Sequence, residues 1–475
     1  MHSRSFLASA ALLVLAGCTA NAPQPADSTP PPVQPPAAAR AAPSLDIPID
    51  YYKLPNGLRV VLSQDASVPL ATVGVYYNIG FRIEPRDRTG FAHLFEHMMF
   101  QGSRNLGKME FIRLVQANGG VLNGSTRFDF TNYFETVPAH TLETMLWAEA
   151  DRMRGLRITQ ENLTNQIEVV KNEVRDNVIN EPYGGFPWLD VPQYANTNWY
   201  NAHNFYGELE DLDAATLEDV SAFFNAFYSP DNAVLVVAGD FDPARARAWI
   251  DQYFAGIERR PAPAQPDISE PAQKEEKRAS RTDPLAPRPA LAVAYHVPKR
   301  WSPEYFAFGL IDQILIQGDD SRLNQLLVNE RGYTQSVGGG INLLGNMFNY
   351  EGPMLWTAAL LHDSQHTPDQ ILTDIDSAVT RLQTEPVSQE ELDRALTKFR
   401  SGLYDEVGGA TRFGLVDLLA SFALFDDNPQ LINTLEQQLR TVTPPMIQET
   451  ARQYLRPTNR TVLTIVPGAG QEKQP

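Results

Sequence analysis

The chain has 475 residues, 43% hydrophobic and 20% charged, with 36 Pro and 30 Gly, a balance that excludes a disordered or fibrous protein and predicts two or three domains. Its single Cys excludes an intrachain disulfide and any Cys-rich metal cluster, so a metal has to sit on His and carboxylates. A formal charge of −18 argues against binding to nucleic-acid backbones, which takes clustered Lys and Arg.

In chain order, residues 1–17 have a basic start at Arg4 and an apolar run over 6–16 that is too short to span a bilayer, the pattern of an export signal. The run ends in Leu15-Ala16-Gly17-Cys18, which resembles the lipobox of bacterial lipoproteins, where the signal is cut before an acylated Cys. Cys18 is therefore the expected lipidation site. Thr19 in place of Asp resembles lipoproteins sorted to the outer membrane, so the expected location is the cell envelope, on the periplasmic face of that membrane. Residues 18–48 are mostly Pro, Ala, Gln and Ser, which build no core, and are predicted to form an extended tether. No later segment has enough consecutive apolar residues for a transmembrane helix, which leaves the lipid as the expected attachment.

The body opens with the turn signal Leu54-Pro55-Asn56-Gly57 and a β-rich run to Leu62, followed by a second predicted strand over 72–77. Helical patterns dominate from about Gly90, and the Pro-, Glu- and Lys-rich stretch 259–287 reads as a linker between a domain at 49–258 and a domain at 288–468, with a tail at 469–475. The halves look like repeats. Thr216, Pro230 and Asn232 recur at identical spacing as Thr443, Pro457 and Asn459, each set spanning an amphipathic helix that leads into an apolar strand over 233–238 or 461–466. Gln101-Gly102 after a predicted helix over 91–100 is echoed by Gln317-Gly318 after one over 305–316.

The chemistry concentrates in Gly90-Phe91-Ala92-His93-Leu94-Phe95-Glu96-His97-Met98-Met99-Phe100. On a helix His93 and His97 lie four apart on one face, close enough for both imidazoles to reach one ion, with Glu96 beside them. Two neutral imidazoles leave Zn²⁺ in need of another protein ligand and an open position for water, whose pKa the ion lowers toward neutrality. Glu96 is placed to take the proton from that water and pass it to a leaving amine. The bland alternative, two histidines packed in an apolar helix, requires three polar side chains to find partners inside a core.

His93-x-x-Glu96-His97 is similar to the inverted zinc motif of the pitrilysin and insulinase peptidases, the M16 inverzincins, which include the mitochondrial processing peptidase. The resemblance extends over nearly all of the chain after the tether, through Leu54-Pro55-Asn56-Gly57-Leu58, Asn123-Gly124-Ser125-Thr126, Val169-Val170-x-x-Glu173, Ser229-Pro230-Asp231-Asn232-Ala233 and Gly239-Asp240-Phe241-Asp242-Pro243. Length fits the processing-peptidase-like branch, whose subunits carry two homologous domains. The resemblance implies an α+β fold of two α/β sandwich domains, each a mainly antiparallel sheet packed with helices, and one zinc per chain. It implies Glu173 as third ligand, and a Glu seven positions earlier that supports the site; this chain has Gln166 there, which hydrogen-bonds but supplies no charge.

In such proteins the segment resembling residues 121–126 is an edge strand to which an extended peptide adds by main-chain pairing, which makes Asn123, Gly124, Ser125 and Thr126 expected substrate contacts. Gly309, Asp312 and Gln313 stand where the motif would fall in the second half, which is therefore expected to bind no zinc. Family members use an Arg and a Tyr from this domain type on the substrate carbonyl; Arg322 matches the first, whereas Gln335 stands at the Tyr position, with Tyr333 two residues away. That departure implies a hetero-oligomer in which a related subunit without the zinc motif completes a closed chamber, with a homodimer as the alternative. The expected function is zinc-dependent endopeptidase action on peptides or unfolded segments. The alternative is a non-catalytic scaffold or peptide-binding subunit of an envelope complex. His140, His203, His296, His362 and His366 show no spacing for a second metal.

Overall fold

Strand alternation in this chain builds two sheets with the same internal order. The computed structural model describes residues 45–261 and 263–468; the expected signal, Cys18, the tether before residue 45 and the tail lie outside the described residues. The first sheet contains β1 (Asp50–Lys53), β2 (Arg59–Gln64), β3 (Leu70–Tyr77), β4 (Val121–Thr126), β5 (Thr131–Pro138) and β6 (Ala233–Gly239), in the order β1-β2-β6-β3-β5-β4. The second contains β7 (Lys277–Asp283), β8 (Ala290–His296), β9 (Gly338–Ile341), β10 (Leu355–Leu361) and β11 (Arg460–Pro467), in the order β7-β11-β8-β10-β9. Without β1 the two orders are superimposable, and each sheet has one parallel pair, β2 with β6 and β7 with β11, among antiparallel neighbours.

The repeated Thr, Pro and Asn residues explain part of that likeness. Thr216 and Thr443 accept the first-turn N–H groups of helices Leu217–Phe227 and Pro444–Tyr454, as N-caps do. Pro230 and Pro457 each open a single tight turn before the following strand. The Asn232 amide donates to the carbonyls of Phe227 (2.9 Å) and Asn78 (3.2 Å), and Asn459 donates to Tyr454 (2.8 Å) and His296 (2.9 Å). Each Asn thus ties the end of its helix to the end of the central antiparallel strand.

The stretch 259–287 departs from a plain linker, because β7 lies inside it. Lys277-Arg278-Ala279-Ser280-Arg281-Thr282-Asp283 has almost no apolar side chain to announce a strand. Its exposure nonetheless alternates residue by residue, and main-chain pairing to β11 holds it at the sheet edge.

Strands β3 and β6 are buried on both faces, and the period of two sorts their side chains. Val73, Val75, Leu235 and Val237 join one core with helices of the first half, whereas Tyr76, Val234, Val236 and Ala238 join a core built largely by the second half. The apolar helix Phe413–Phe425 lies on this second face. It comes so close that a Cβ on Gly74 would stand 2.6 Å from Val416 Cγ1. In return the helix Asp190–Ala195 sets Val191 and Ala195 against Ala292, Ala294 and Leu463 of the second sheet. Polar ties reinforce the exchange. Asp129 pairs with Arg82 at 2.7 Å, both side chains nearly inaccessible, and accepts the Glu351 and Gly352 N–H groups of the other half. Tyr76 donates to Asp417 at 3.1 Å. Because a buried charge without its partner costs several kcal/mol, these ties hold the halves in one arrangement.

Candidate metal centre

The helix Phe91–Met98 begins at its N-cap Gly90, whose φ of 81° suits glycine and which has no side chain to cap the first turn. The fully buried Glu84 carboxylate does that work from outside the helix, accepting the N–H groups of Gly90 (2.9 Å) and Ala92 (2.5 Å). Burial pushes the Glu84 carboxyl up to about 8. His203 stands 4.0 Å away, stacked on Trp199, and burial holds its imidazole down at about 4, so it sits there as a core histidine. Phe91, Leu94, Phe95 and Met98 face the core, which turns His93 and His97 together toward the opposite side.

There they meet Glu173, near the end of helix Gln160–Val174, where the chain widens into a π-helical turn at Arg175–Ile179. His93 Nε2 lies 3.4 Å from one Glu173 oxygen and His97 Nε2 lies 3.2 Å from the other. Three such donor atoms, one from each residue, fall within 4.8 Å of one another, the single such grouping among the described residues. Zinc bonds of about 2.0–2.2 Å at tetrahedral angles space their donors about 3.3–3.5 Å apart, and each imidazole nitrogen stands near that distance from a Glu173 oxygen, so two imidazoles and a carboxylate gathered here suit that ion. Hydrogen bonds from the two imidazoles hold the Glu173 carboxyl far below its ordinary range. The three side chains are 6%, 21% and 33% exposed, so the cluster is partly open to solvent. His93 Nδ1 is buried without a partner, so its ring is oriented by packing, Tyr206 lying 5.3 Å away centroid to centroid. Burial, together with the charges of Glu173 and Glu96, pushes the Tyr206 hydroxyl up to about 12.

Glu96 projects beside the trio and accepts a 2.7 Å hydrogen bond from Thr126 Oγ1. Strand β4, which carries Thr126, is the outermost strand of its sheet and pairs only with β5, leaving one row of main-chain groups open. Asn123, Gly124 and Ser125 lie along it. Gln166 is buried in the Glu173 helix, but its amide donates to Asn165 at 2.8 Å and makes no hydrogen bond to the trio.

The second half holds different groups. Asp312, at the position of Glu96, is buried and accepts the Trp356 indole N–H at 2.7 Å. It lines a cavity of about 490 Å³ with Gln313, Gln317 and Lys398. Burial pushes Asp312 up to about 7 from an ordinary 3.8. A raised carboxyl lends stability that is complete below its unfolded pKa and lost as pH climbs through the folded one. Asp312→Asn, whose amide oxygen still accepts from Trp356, is therefore expected to match the wild-type melting temperature near pH 4 and exceed it above about pH 7, measured by calorimetry. Arg322 forks onto Glu391 at 2.8 Å on both arms, and Tyr333 donates to Asp374 at 2.8 Å. Neither is hydrogen-bonded to the His93, His97 and Glu173 cluster.

Sequence reasoning missed Glu84, which reaches the helix start only six to eight residues on, and Tyr206, which meets His93 from a distant segment. Glu84, an acidic residue shortly before a helix start, carried a weak signal; Tyr206 carried none.

Two family models match the chain: insulinase (peptidase family M16) over residues 59–183, and the peptidase M16 inactive domain over 214–399. The zinc protease PqqE of Helicobacter pylori is 24% identical over 432 residues, covering 87% of this chain and 92% of that protein. An uncharacterized zinc protease of Streptomyces coelicolor is 26% identical, covering 60% of this chain and 62% of its own length. Among solved structures, a Helicobacter pylori protease superposes with a TM-score of 0.80 at 23% identity over 89% of this chain and all of its own. A Pseudomonas fluorescens protein described as an M16 inactive domain superposes at 0.78 and 17% identity, covering 90% and 99%. The periplasmic protease PqqL of Escherichia coli superposes at 0.71 and 18% identity over 90% of this chain, which spans about half (48%) of PqqL. With two matching models of one family, a relative aligned along almost its whole length and the same two-domain fold, the chain belongs to the M16 (insulinase) peptidase family.

Proposed function

We propose that this chain is a zinc-dependent endopeptidase of the bacterial cell envelope, lipid-anchored through Cys18, that hydrolyses peptides or unfolded polypeptide segments. The observation that carries the reading is the meeting of His93, His97 and Glu173 at ligand spacing, with Glu96 hydrogen-bonded beside them at an open sheet edge. The zinc-protease names of two relatives and the periplasmic location in the name of PqqL support the metal and the compartment.

In this reading residues 49–258 form the catalytic domain and 288–468 a non-catalytic repeat. When bound, zinc supplies Lewis acidity to a scissile carbonyl and to water. Asn123, Gly124 and Ser125 hold an extended peptide by main-chain pairing along β4. Glu96 takes the proton from the attacking water and delivers it to the leaving amine. Gln166, buried on the same helix as Glu173, supports that helix without charge. Arg322 and Tyr333 are engaged by Glu391 and Asp374, which favours an arrangement in which a related subunit lacking the zinc motif supplies the carbonyl-binding groups. A second copy of this chain in that place is the alternative.

The test is direct. Purified protein, alone and with candidate related subunits, is incubated with quenched unstructured peptides before and after chelation. One chelator-removable zinc per chain, with cleavage lost and restored alongside it, is the expected result. Bound zinc without cleavage in any combination would favour a scaffold instead.

A further inference from the structure

The edge strand that the proposed function assigns to substrate ends in a residue with different surroundings. Exposure falls along β4 from Val121, 60% exposed, to Thr126, 7% exposed, and the Thr126 hydroxyl is already committed. Its single hydrogen has two acceptors within reach, Glu96 Oε2 at 2.7 Å and the Ala92 carbonyl at 3.4 Å. The contact to Glu96 is the shorter, 2.7 Å against 3.4 Å, and forms the stronger bond, so the proton points at Glu96. Two residues earlier, Gly124 lets the strand lie against the same side chain: a Cβ there would stand 3.3 Å from Glu96 Cγ.

Resting on the reading of Glu96 as general base, we propose that Thr126 is a positioning residue for that base: its hydroxyl pins one carboxylate oxygen and Gly124 backs the stem, leaving the other oxygen to serve the water. Loss of that hydrogen bond frees the Glu96 side chain to leave the reacting geometry, and misplacement of a catalytic group by about 1 Å costs on the order of 100-fold.

Thr126→Val replaces the hydroxyl by a methyl, and Thr126→Ser keeps the donor. In the full chain with its zinc content measured, T126V is expected to lower kcat about 10- to 100-fold with KM within about twofold and zinc unchanged, and T126S to recover kcat to within about threefold of wild type. A crystal structure of T126V should show the Glu96 side chain moved from the Gly124 backbone, and that of T126S should show it in place. Wild-type kcat in T126V, or a raised KM at unchanged kcat, would overturn the proposal, the second by making Thr126 a substrate contact. If the wild-type chain cleaves nothing, the function reading fails by itself. The Glu96 position in T126V then decides the question: an unmoved side chain rejects positioning and a displaced one sustains it.

Discussion

Glu96→Gln is expected to leave one zinc bound per chain and lower kcat by about 10²–10⁴-fold, the range supplied by a general base. The substitution is confined to the proton acceptor. Its amide oxygen still accepts the Thr126 hydroxyl, and the three candidate ligands, His93, His97 and Glu173, are untouched. KM should therefore change little, because the open edge of β4 that pairs with substrate is unaltered. Metal content by mass spectrometry and steady-state kinetics on one quenched peptide decide the matter. Turnover within a few fold of wild type would remove Glu96 from the mechanism.

Glu173→Ala separates metal holding from proton transfer. Replacing an outer partner of a metal ligand costs roughly 10- to 100-fold in affinity, so removing a direct carboxylate ligand is expected to cost at least about 100-fold, read by competition with a chromophoric chelator. Activity should fall in proportion to zinc occupancy and return in part when zinc is raised. Because the variant also loses the hydrogen bonds from the two imidazoles, it is compared with the zinc-free wild type, so that any change in melting is kept apart from the loss of metal. Unchanged zinc affinity would dismiss Glu173 as a ligand. Paired with Glu96→Gln, the variant yields opposite signatures: metal kept and turnover lost in one, metal and turnover lost together in the other.

Legibility in the sequence followed the range of the physics involved. His93, Glu96 and His97 share one helix, and helical spacing alone puts the two imidazoles on one face. The capping Thr216 and Thr443 and the helix-tying Asn232 and Asn459 recur at fixed spacing because each acts within a few residues of its own helix and strand. Strand β7 failed the same reading: an edge strand needs main-chain partners more than apolar side chains, and Lys277 to Asp283 offers almost none of the latter. Read without its relatives, Glu173 is one acidic residue among many.

By itself the sequence determined the local chemistry: a metal-ready helix, a duplicated order of elements and a single Cys that excludes an intrachain disulfide. The tertiary structure decided which distant groups complete that chemistry. It brought Glu173 to the imidazoles and Thr126 to the base, and it engaged Arg322 and Tyr333 elsewhere. It also exchanged helices between the halves, which buried both faces of β3 and β6. Periodicity carries a side chain's direction relative to its own helix or strand, whereas the meeting of two elements depends on how every core residue packs, and no local spacing records that.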